Sequence, residues 1–339
     1  MSRSEKIWLI VAASLVLVGC IIFVGVMAVL KWDFGKLSTN KYETNTYEIN
    51  EAFKQISVDT DTADIVFVPT EGETASVVCY EQKNLKHTVT VNDGTLVIKT
   101  VDTRKWYEYI GINFGSPKIT VYIPRGEYGA LSVRTSTGAL EIPKDFKFES
   151  IDISLSTGYI KSSASVSENI KIKGSTGLVA LENITAKSVD ISVSTGTVSL
   201  KNAVLTEDIK INVSTGKTEL TKVSCRNFIS DGSTGDVILN SVTVTDKIFV
   251  ERDTGDVTLD NSFSSEIVVL TDTGDVKLNR CDAKALDIET DTGDVSGHLL
   301  SGKVFVAESD TGKVKVPMPS GEEICKIVTD TGDITFTVE

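Results

Sequence analysis

The stretches STGTVSL (residues 194–200) and DTGDVTL (residues 253–259) are two copies of one phrase, Ser/Asp-Thr-Gly followed by alternating apolar residues. The phrase occurs eleven times, and its glycine recurs every 19 or 20 residues. These glycines are Gly138, Gly158, Gly177, Gly196, Gly216, Gly235, Gly255, Gly274, Gly293, Gly312 and Gly332. A fixed period of this size is typical of a repeat architecture in which each unit stacks on its neighbours.

The residues between the glycines predict strands. The second residue after the glycine is usually Val and the fourth usually Leu, as in Val198 and Leu200, and apolar residues recur before the next glycine, as in Ile209 and Ile211. A period of two with many β-branched residues is typical of strands. We therefore expect each repeat to be one coil, here called a rung, whose strands pair in parallel with those of its neighbours. The predicted fold is an all-β parallel β-helix, or solenoid, of about 11–12 rungs, preceded by one N-terminal transmembrane helix.

The phrase itself has a local explanation. Ser and Asp side chains can accept a hydrogen bond from the backbone N–H two residues on, which closes an Asx- or ST-turn. Glycine would supply a positive φ or allow close approach of the next rung. Asp61-Thr62-Ala63 is a degenerate copy and is predicted to begin the first rung. Six copies carry Ser136, Ser156, Ser175, Ser194, Ser214 and Ser233, and five carry Asp253, Asp272, Asp291, Asp310 and Asp330.

The N-terminus predicts a membrane segment. After a short tail (1–6), residues 7–30 carry no charge and are long enough to span a bilayer. A cleaved signal peptide normally has a shorter apolar core. As an alternative, Leu17-Val18-Gly19-Cys20 resembles a lipoprotein box with a lipidated cysteine, although ten further apolar residues follow Cys20.

The orientation is weakly specified, because basic residues flank both ends of the span. A short basic tail before a lone span is typical of a signal anchor. We expect a single-pass protein of the cell membrane with the repeats outside the cell.

The rest of the chain divides into a polar tether (31–50) and a solenoid domain (51–339). Within it, residues 69–130 are predicted to form an irregular, strand-rich cap and residues 131–339 the regular repeats, since a terminal rung would otherwise expose its backbone edge. The aromatic stretch at residues 106–109 is interpreted as hydrophobic cover for this cap, or as a surface that binds sugar or lipid. At the other end the last strand, residues 334–338, has no obvious cap.

Composition restricts the function. A net charge of −13 argues against nucleic-acid partners. The only two histidines, His87 and His298, are far apart, so we expect no His-based metal or catalytic cluster. Five cysteines without a C-x-x-C pair argue against a disulfide framework or a zinc site. Cys281 is predicted to be a small buried hydrophobe.

The Asp-Thr-Gly phrase also occurs in aspartic proteases, but those enzymes bring two such turns together so that two carboxylates share a proton. Here the copies are parallel, and Ser replaces Asp in six of them. Stacked carboxylates repel one another, and Ca²⁺ would relieve this. Alternatively, the first Asp is satisfied by its own turn and the second is solvated. No cofactor is predicted, and the candidate Ca²⁺ ligands are Asp253, Asp256, Asp272, Asp275, Asp291, Asp294, Asp330 and Asp333.

The Ser/Asp-Thr-Gly-x-Val-x-Leu rung, the N-terminal span, and the order of residues 56–65 before a strand-rich segment ending at residues 121–124 resemble the bacterial "putative adhesin" family. These are β-strand-repeat envelope proteins of unknown biochemical function. The resemblance covers about residues 46–339. It implies an envelope location and this fold, and it implies no catalytic residues.

The sequence thus predicts a membrane-anchored, non-catalytic β-solenoid of the cell surface that binds an envelope glycan or protein, or acts as a scaffold. One alternative is a tethered scaffold that polymerises end to end through its C-terminal rung. Another is a carbohydrate-active β-helix enzyme. Such enzymes need carboxylate clusters in a groove built by loops, and the short, uniform rungs offer no inserted loops.

Overall fold

The computed structural model describes residues 2–33, 41–109 and 115–339. Helix α1 spans Arg3–Val29 and covers nearly all of the predicted span. It begins with a capping box: Ser2 Oγ accepts from the Glu5 N–H at 3.2 Å, and the Ser2 N–H donates to Glu5 Oε2 at 2.8 Å. Most of its side chains are exposed and apolar, and its length and composition suffice to cross a membrane.

The described residues also form 23 strands in one continuous sheet, and a short 3-10 helix at Trp106–Tyr109. The strands are β1 Tyr42–Ile49, β2 Gln55–Asp59, β3 Asp64–Thr70, β4 Ala75–Gln82, β5 Leu85–Asn92, β6 Thr95–Asp102, β7 Lys118–Pro124, β8 Gly126–Ile142, β9 Phe146–Ser162, β10 Ser165–Val166, β11 Asn169–Glu182, β12 Thr185–Ala186, β13 Ser188–Leu205, β14 Ile209–Thr234, β15 Val237–Thr254, β16 Val257–Asp260, β17 Phe263–Thr273, β18 Val276–Thr292, β19 Val295–Leu299, β20 Val304–Ser309, β21 Val314–Lys315, β22 Ile324–Thr331 and β23 Ile334–Val338.

The rungs stack in parallel with glycine opposite glycine, which confirms the predicted solenoid. Strand β11 pairs with β9 on one side and β13 on the other, so that Gly177 lies between Gly158 and Gly196. The apolar positions point inward: Val198 and Leu200, for example, are fully buried. They belong to one hydrophobic core that runs the length of the stack. Burial of these ladders is the main stabilising contribution.

Both reasons for the repeated glycine are present. Ten of the eleven have φ between 126° and 158°. A Cβ on Gly196 would also lie within 3.0 Å of the carbonyl oxygen of Gly177 in the adjacent rung. Ala63 occupies the equivalent position of the first rung, where its N–H donates to Thr137 O at 3.0 Å. Ala63 is tolerated because, in the described chain, its other neighbour is the cap and not another repeat glycine.

The N-terminal cap covers this first rung. Strands β2 and β3 pair in parallel with β8 on one side and with β6 and β7 on the other. Strand β4 runs antiparallel to β7, and β1 runs antiparallel to β4. The prediction of a tether over residues 31–50 is therefore wrong for Tyr42–Ile49, while residues 34–40 lie outside the described part. The segment is polar because it is an edge strand that buries little of its surface.

The C-terminal rungs do not stack in sequence order. Strands β22 and β23 pair with β18 and β19, and β20 and β21 pair on their far side. Gly332 accordingly lies on Gly293, and Gly312 lies on Gly332. The last strand, residues 334–338, was expected to be uncapped. Strand β21 pairs with its first two residues, 334 and 335, and the Phe305 ring of β20 packs against Phe336. The expectation is therefore wrong for these three residues. Because every rung presents the same pairing register to its neighbour, the rung of β22 and β23 can stack on β18 and β19 ahead of the rung of β20 and β21.

Two cations, Arg252 and Lys303, are fully buried among the described residues of the stack. Lys303 pairs with Asp282 and Glu323, whereas the hydrogen-bond acceptors of Arg252 are neutral. Arg252 Nη2 donates to Ser230 Oγ at 2.7 Å and Thr218 Oγ1 at 3.4 Å, and Nη1 donates to Glu251 O at 2.7 Å. Its Nε and the Thr271 hydroxyl in the adjacent rung have no hydrogen-bond partner. Burial lowers the pKa of Arg252. This polar cluster interrupts the apolar core.

Candidate functional site

The first residue of each turn phrase does not close the predicted Asx- or ST-turn. Asp253, Asp272 and Asp291 are exposed, and no hydrogen bond of their carboxylates occurs among the described residues. The amide that such a turn would use is already engaged, since the Gly255 N–H donates to Thr273 O of the next rung at 2.9 Å. The turn is therefore held by the neighbouring rung and not by its own side chain.

The aspartates that follow the glycines form a ladder. The Asp256 N–H donates to Asp236 Oδ1 at 3.1 Å, the Asp275 N–H to Asp256 Oδ1 at 2.9 Å, and the Asp294 N–H to Asp275 Oδ1 at 3.0 Å. The ladder follows the stacking order, because the Asp333 N–H donates to Asp294 Oδ1 at 2.8 Å. Asp64 does the same at the first rung, where it accepts from the Ala139 N–H. Each carboxylate is thus a structural acceptor between rungs.

The candidate Ca²⁺ ligands lie along this edge of the solenoid, and calcium binding there stays a prediction. Among the described residues, one group brings three potential metal ligands within 4.8 Å of one another, and it lies elsewhere. It consists of Cys79, Glu81 and His87.

This Cys-Glu-His cluster is buried between the cap and the first rung. His87 Nδ1 lies 2.6 Å from Glu81 Oε2, and His87 Nε2 lies 2.9 Å from Thr60 Oγ1. Asn45 Nδ2 donates to Glu81 Oε1 at 2.7 Å. Burial raises the pKa of the Cys79 thiol to about 12.

Sequence reasoning missed this cluster because it compared the two histidines only with each other. Cys79 and Glu81 are two residues apart on β4 and therefore share one face of the strand. The β4–β5 hairpin then returns the chain and places His87 beside them. A Cys-x-Glu strand followed by a short turn and a histidine was the available signal.

The remaining cysteines form no comparable group in the described chain. No disulfide framework was predicted, and all five thiols are free. Only Cys20 is exposed. Cys281 is fully buried, as predicted. Burial raises its pKa to about 11. It therefore has the environment of a small apolar side chain.

A shallow groove of about 490 Å³ runs along the Ser turns of the N-terminal rungs. It is lined mainly by hydroxyl groups, with Arg134, Lys173 and Asp59 among them. Gly174 has no side chain to fill the groove, whereas the equivalent residue of the next rung is Val193. Sequence reasoning did not single out this groove, because its residues come from five separate rungs.

The aromatic segment does not cover the cap. Trp106 is 77% exposed and Tyr109 is 59% exposed. The Arg104 guanidinium lies 4.4 Å from the centre of the Tyr109 ring, and Asp102 accepts from both Arg104 and Tyr109. Hydrogen bonding to Arg104 holds the pKa of Asp102 well below its usual range. The interpretation as hydrophobic cover is therefore wrong for these two rings.

This chain is similar to several proteins of known structure. A crystal structure described as a "putative adhesin" from Bacteroides fragilis NCTC 9343 is 13% identical and covers 88% of this chain and 97% of its own, with a TM-score of 0.25. Another, from Parabacteroides merdae ATCC 43184, is 11% identical and covers 88% and 96%, with a TM-score of 0.34. A protein from Parabacteroides distasonis ATCC 8503 described as "putative lipid binding" is 14% identical and covers 87% and 97%, with a TM-score of 0.28.

No curated protein is significantly similar in sequence. The family model that matches is that of Toastrack DUF4097, over residues 53–217 and 204–339. Together these two matches span the cap and every rung. The chain therefore belongs to the Toastrack DUF4097 family.

Proposed function

We propose that this protein is anchored in the cell membrane by α1 and displays its solenoid outside the cell as a non-catalytic binding module. The observation that carries the proposal is the combination of an exposed apolar helix, uncharged from residue 7 onward, with a stack whose grooves are shallow. Shallow, hydroxyl-lined surfaces can bind an extended ligand, but they do not exclude water from a reacting centre.

The ligand class that fits the groove is an envelope glycan. Its hydroxyl, amide and carboxylate groups match the hydroxyls that line the groove and the cations of Arg134 and Lys173. The exposed Trp106 ring offers a second surface on which a sugar ring could stack. The overall charge of −13 disfavours polyanions without such local cations.

Glycan binding is tested with the full chain in detergent micelles on an array of envelope polysaccharides. We expect binding to weaken at least tenfold in Lys173→Ala. Lys171→Ala is the matched control, because Lys171 is an exposed residue of the same strand that does not line the groove. Equal binding by both variants would overturn the assignment of the groove.

The topology is tested separately by adding protease to intact cells. We expect the solenoid epitope to be lost while a cytoplasmic marker persists. A protected solenoid would contradict display outside the cell.

End-to-end polymerisation is not proposed. Its support was an uncapped last strand, and β21 together with Phe305 of β20 packs on residues 334–336 of that strand. The rung that ends the stack instead carries Glu308, Lys313 and Lys315, and charged edges disfavour pairing with another sheet.

A further inference from the structure

We propose that Cys79, Glu81 and His87 form a zinc site within the cap, where it packs on the first rung. A thiolate, a carboxylate and an imidazole are the ligand types that Zn²⁺ takes in proteins. One ligand atom from each lies within 4.8 Å of the others, so a small contraction or rotation of side chains suffices to reach one ion.

The outer contacts are those of a metal site. Metal-bound histidines usually hold their second ring nitrogen in a hydrogen bond, and bound carboxylates are hydrogen-bonded in turn. Here His87 Nε2 lies 2.9 Å from Thr60 Oγ1, which itself accepts from Thr100 Oγ1 at 3.1 Å. This leaves Nδ1 directed at Glu81, whose other oxygen is held by Asn45. Each of the two ligands is oriented by a neighbour.

The charges also balance. A thiolate from Cys79 and the carboxylate of Glu81 carry two negative charges, and Zn²⁺ with neutral His87 cancels them. Neutrality matters because Glu81 and Cys79 are fully buried and an unbalanced buried charge is costly. The ion displaces the thiol proton and the proton between His87 Nδ1 and Glu81 Oε2, so binding releases protons to solvent.

The position gives the ion a structural role. Cys79 and Glu81 lie on β4, His87 on β5, and Thr60 follows β2 of the first rung. Zn²⁺ bound there would tie β4 to β5 within the cap and fix the imidazole that contacts Thr60 of the first rung. The fourth position of a tetrahedral site would be left for water.

The test uses the full chain in detergent micelles, stripped of metal with a chelator and titrated with ZnCl₂ and CoCl₂. We expect one equivalent of zinc to bind, the thermal unfolding midpoint to rise, and cobalt to produce a thiolate charge-transfer band. Cys79→Ser and His87→Gln should weaken zinc binding at least 100-fold and abolish that band. Cys281→Ser and His298→Gln are matched controls that remove another buried thiol and the other histidine, and both should bind as the parent chain does.

Thr60→Val tests the positioning contact independently of the ligands. It should lower zinc affinity by about 10–100-fold while the cobalt thiolate band persists at saturation. Circular dichroism identifies variants that fail to fold, and for these the titration of the parent chain decides. The proposal is overturned if the folded parent chain binds no zinc, which would leave a buried Glu81–His87 ion pair only. It is also overturned if Cys79→Ser and His87→Gln bind zinc as tightly as the controls.

Discussion

The early rungs, with glycines Gly158 to Gly216, and the late rungs, with glycines Gly255 to Gly332, close the same turn by different hydrogen bonds. In the early rungs the backbone pairing runs through the turn, and Leu178 lies directly opposite Tyr159 and Thr197. In the late rungs this pairing is interrupted after the glycine, and the N–H there donates to an aspartate of the rung beneath.

The difference explains the second acid of Asp-Thr-Gly-Asp. A residue directly after the glycine that keeps the backbone ladder can be Leu, Thr or Lys, as at Leu178, Thr197 and Lys217. Where the backbone ladder is interrupted, the side chain after the glycine must accept the hydrogen bond from the N–H of the next rung. The aspartate carboxylate is long enough to do so. The acidic edge of the late rungs is thus accounted for by hydrogen bonding between rungs, without invoking an ion.

The largest expected effect concerns the repeat glycine, which the early and the late rungs share. Gly196→Ala in an early rung and Gly274→Ala in a late rung would each place a Cβ within 3.0 Å of a neighbouring carbonyl oxygen at positive φ. Each should reduce the free energy of unfolding by more than about 4 kcal/mol or prevent folding. Chemical denaturation of the full chain in detergent measures this.

Gly126→Ala is the control, because nothing lies within 4 Å of the position that its methyl group would take and its φ is not in the left-handed region. A stable Gly274→Ala with an unstable Gly196→Ala would show that the late rungs do not require the close approach.

The boundary between the halves contains the buried Arg252. Arg252→Met alone leaves the Ser230 and Thr218 hydroxyls unpaired and should destabilise by about 1–3 kcal/mol. The triple variant Thr218→Val/Ser230→Ala/Arg252→Met replaces the whole cluster by apolar groups and should be neutral or up to about 4 kcal/mol more stable than the parent chain. Denaturation midpoints distinguish the two, and a triple variant less stable than the single would contradict this account.

The acid ladder should matter where an aspartate follows the turn glycine, as it does in the late rungs. Asp256→Ala removes the acceptor of the Asp275 N–H and should cost about 0.5–1.5 kcal/mol. Asp272→Ala, which removes an exposed carboxylate with no hydrogen bond in the described chain, should change stability by less than about 0.5 kcal/mol. Equal effects of the two substitutions would refute the structural role of the ladder.

The smallest effect is a dependence on pH. The Lys277 ammonium, and then the Asp294 N–H, hold the pKa of Asp275 below its usual range. A carboxyl whose pKa is lowered on folding adds stability above its unfolded pKa of about 4, and this is lost as pH falls through the folded value. Asp275→Asn should therefore flatten the acid side of the stability profile between about pH 2 and 5. An unchanged profile would count against these contacts.

Much of this architecture could be predicted from the sequence, because one turn repeats at a constant period. The alternation of residues such as Val198 and Leu200 indicates which side chains face the core, and the glycines indicate where rungs touch. The groove beside Arg134 and Lys173 could not be predicted, since its residues meet only after five rungs stack. The Asx-turn was wrong because hydrogen bonding to a neighbouring rung competes with a local bond, and local pattern does not contain that neighbour.

The sequence by itself determined the all-β solenoid, the apolar N-terminal helix and the need for glycine at each turn, because these follow from local spacing and from steric limits at a single residue. Only the tertiary structure decided the order of the last rungs, the strand at Tyr42–Ile49 and the meeting of Cys79, Glu81 and His87. Identical rungs present identical edges, so their order depends on which pairing buries more surface in the complete fold. The Cys-Glu-His cluster likewise depends on the β4–β5 hairpin, which places His87 beside Cys79 and Glu81 in a buried position.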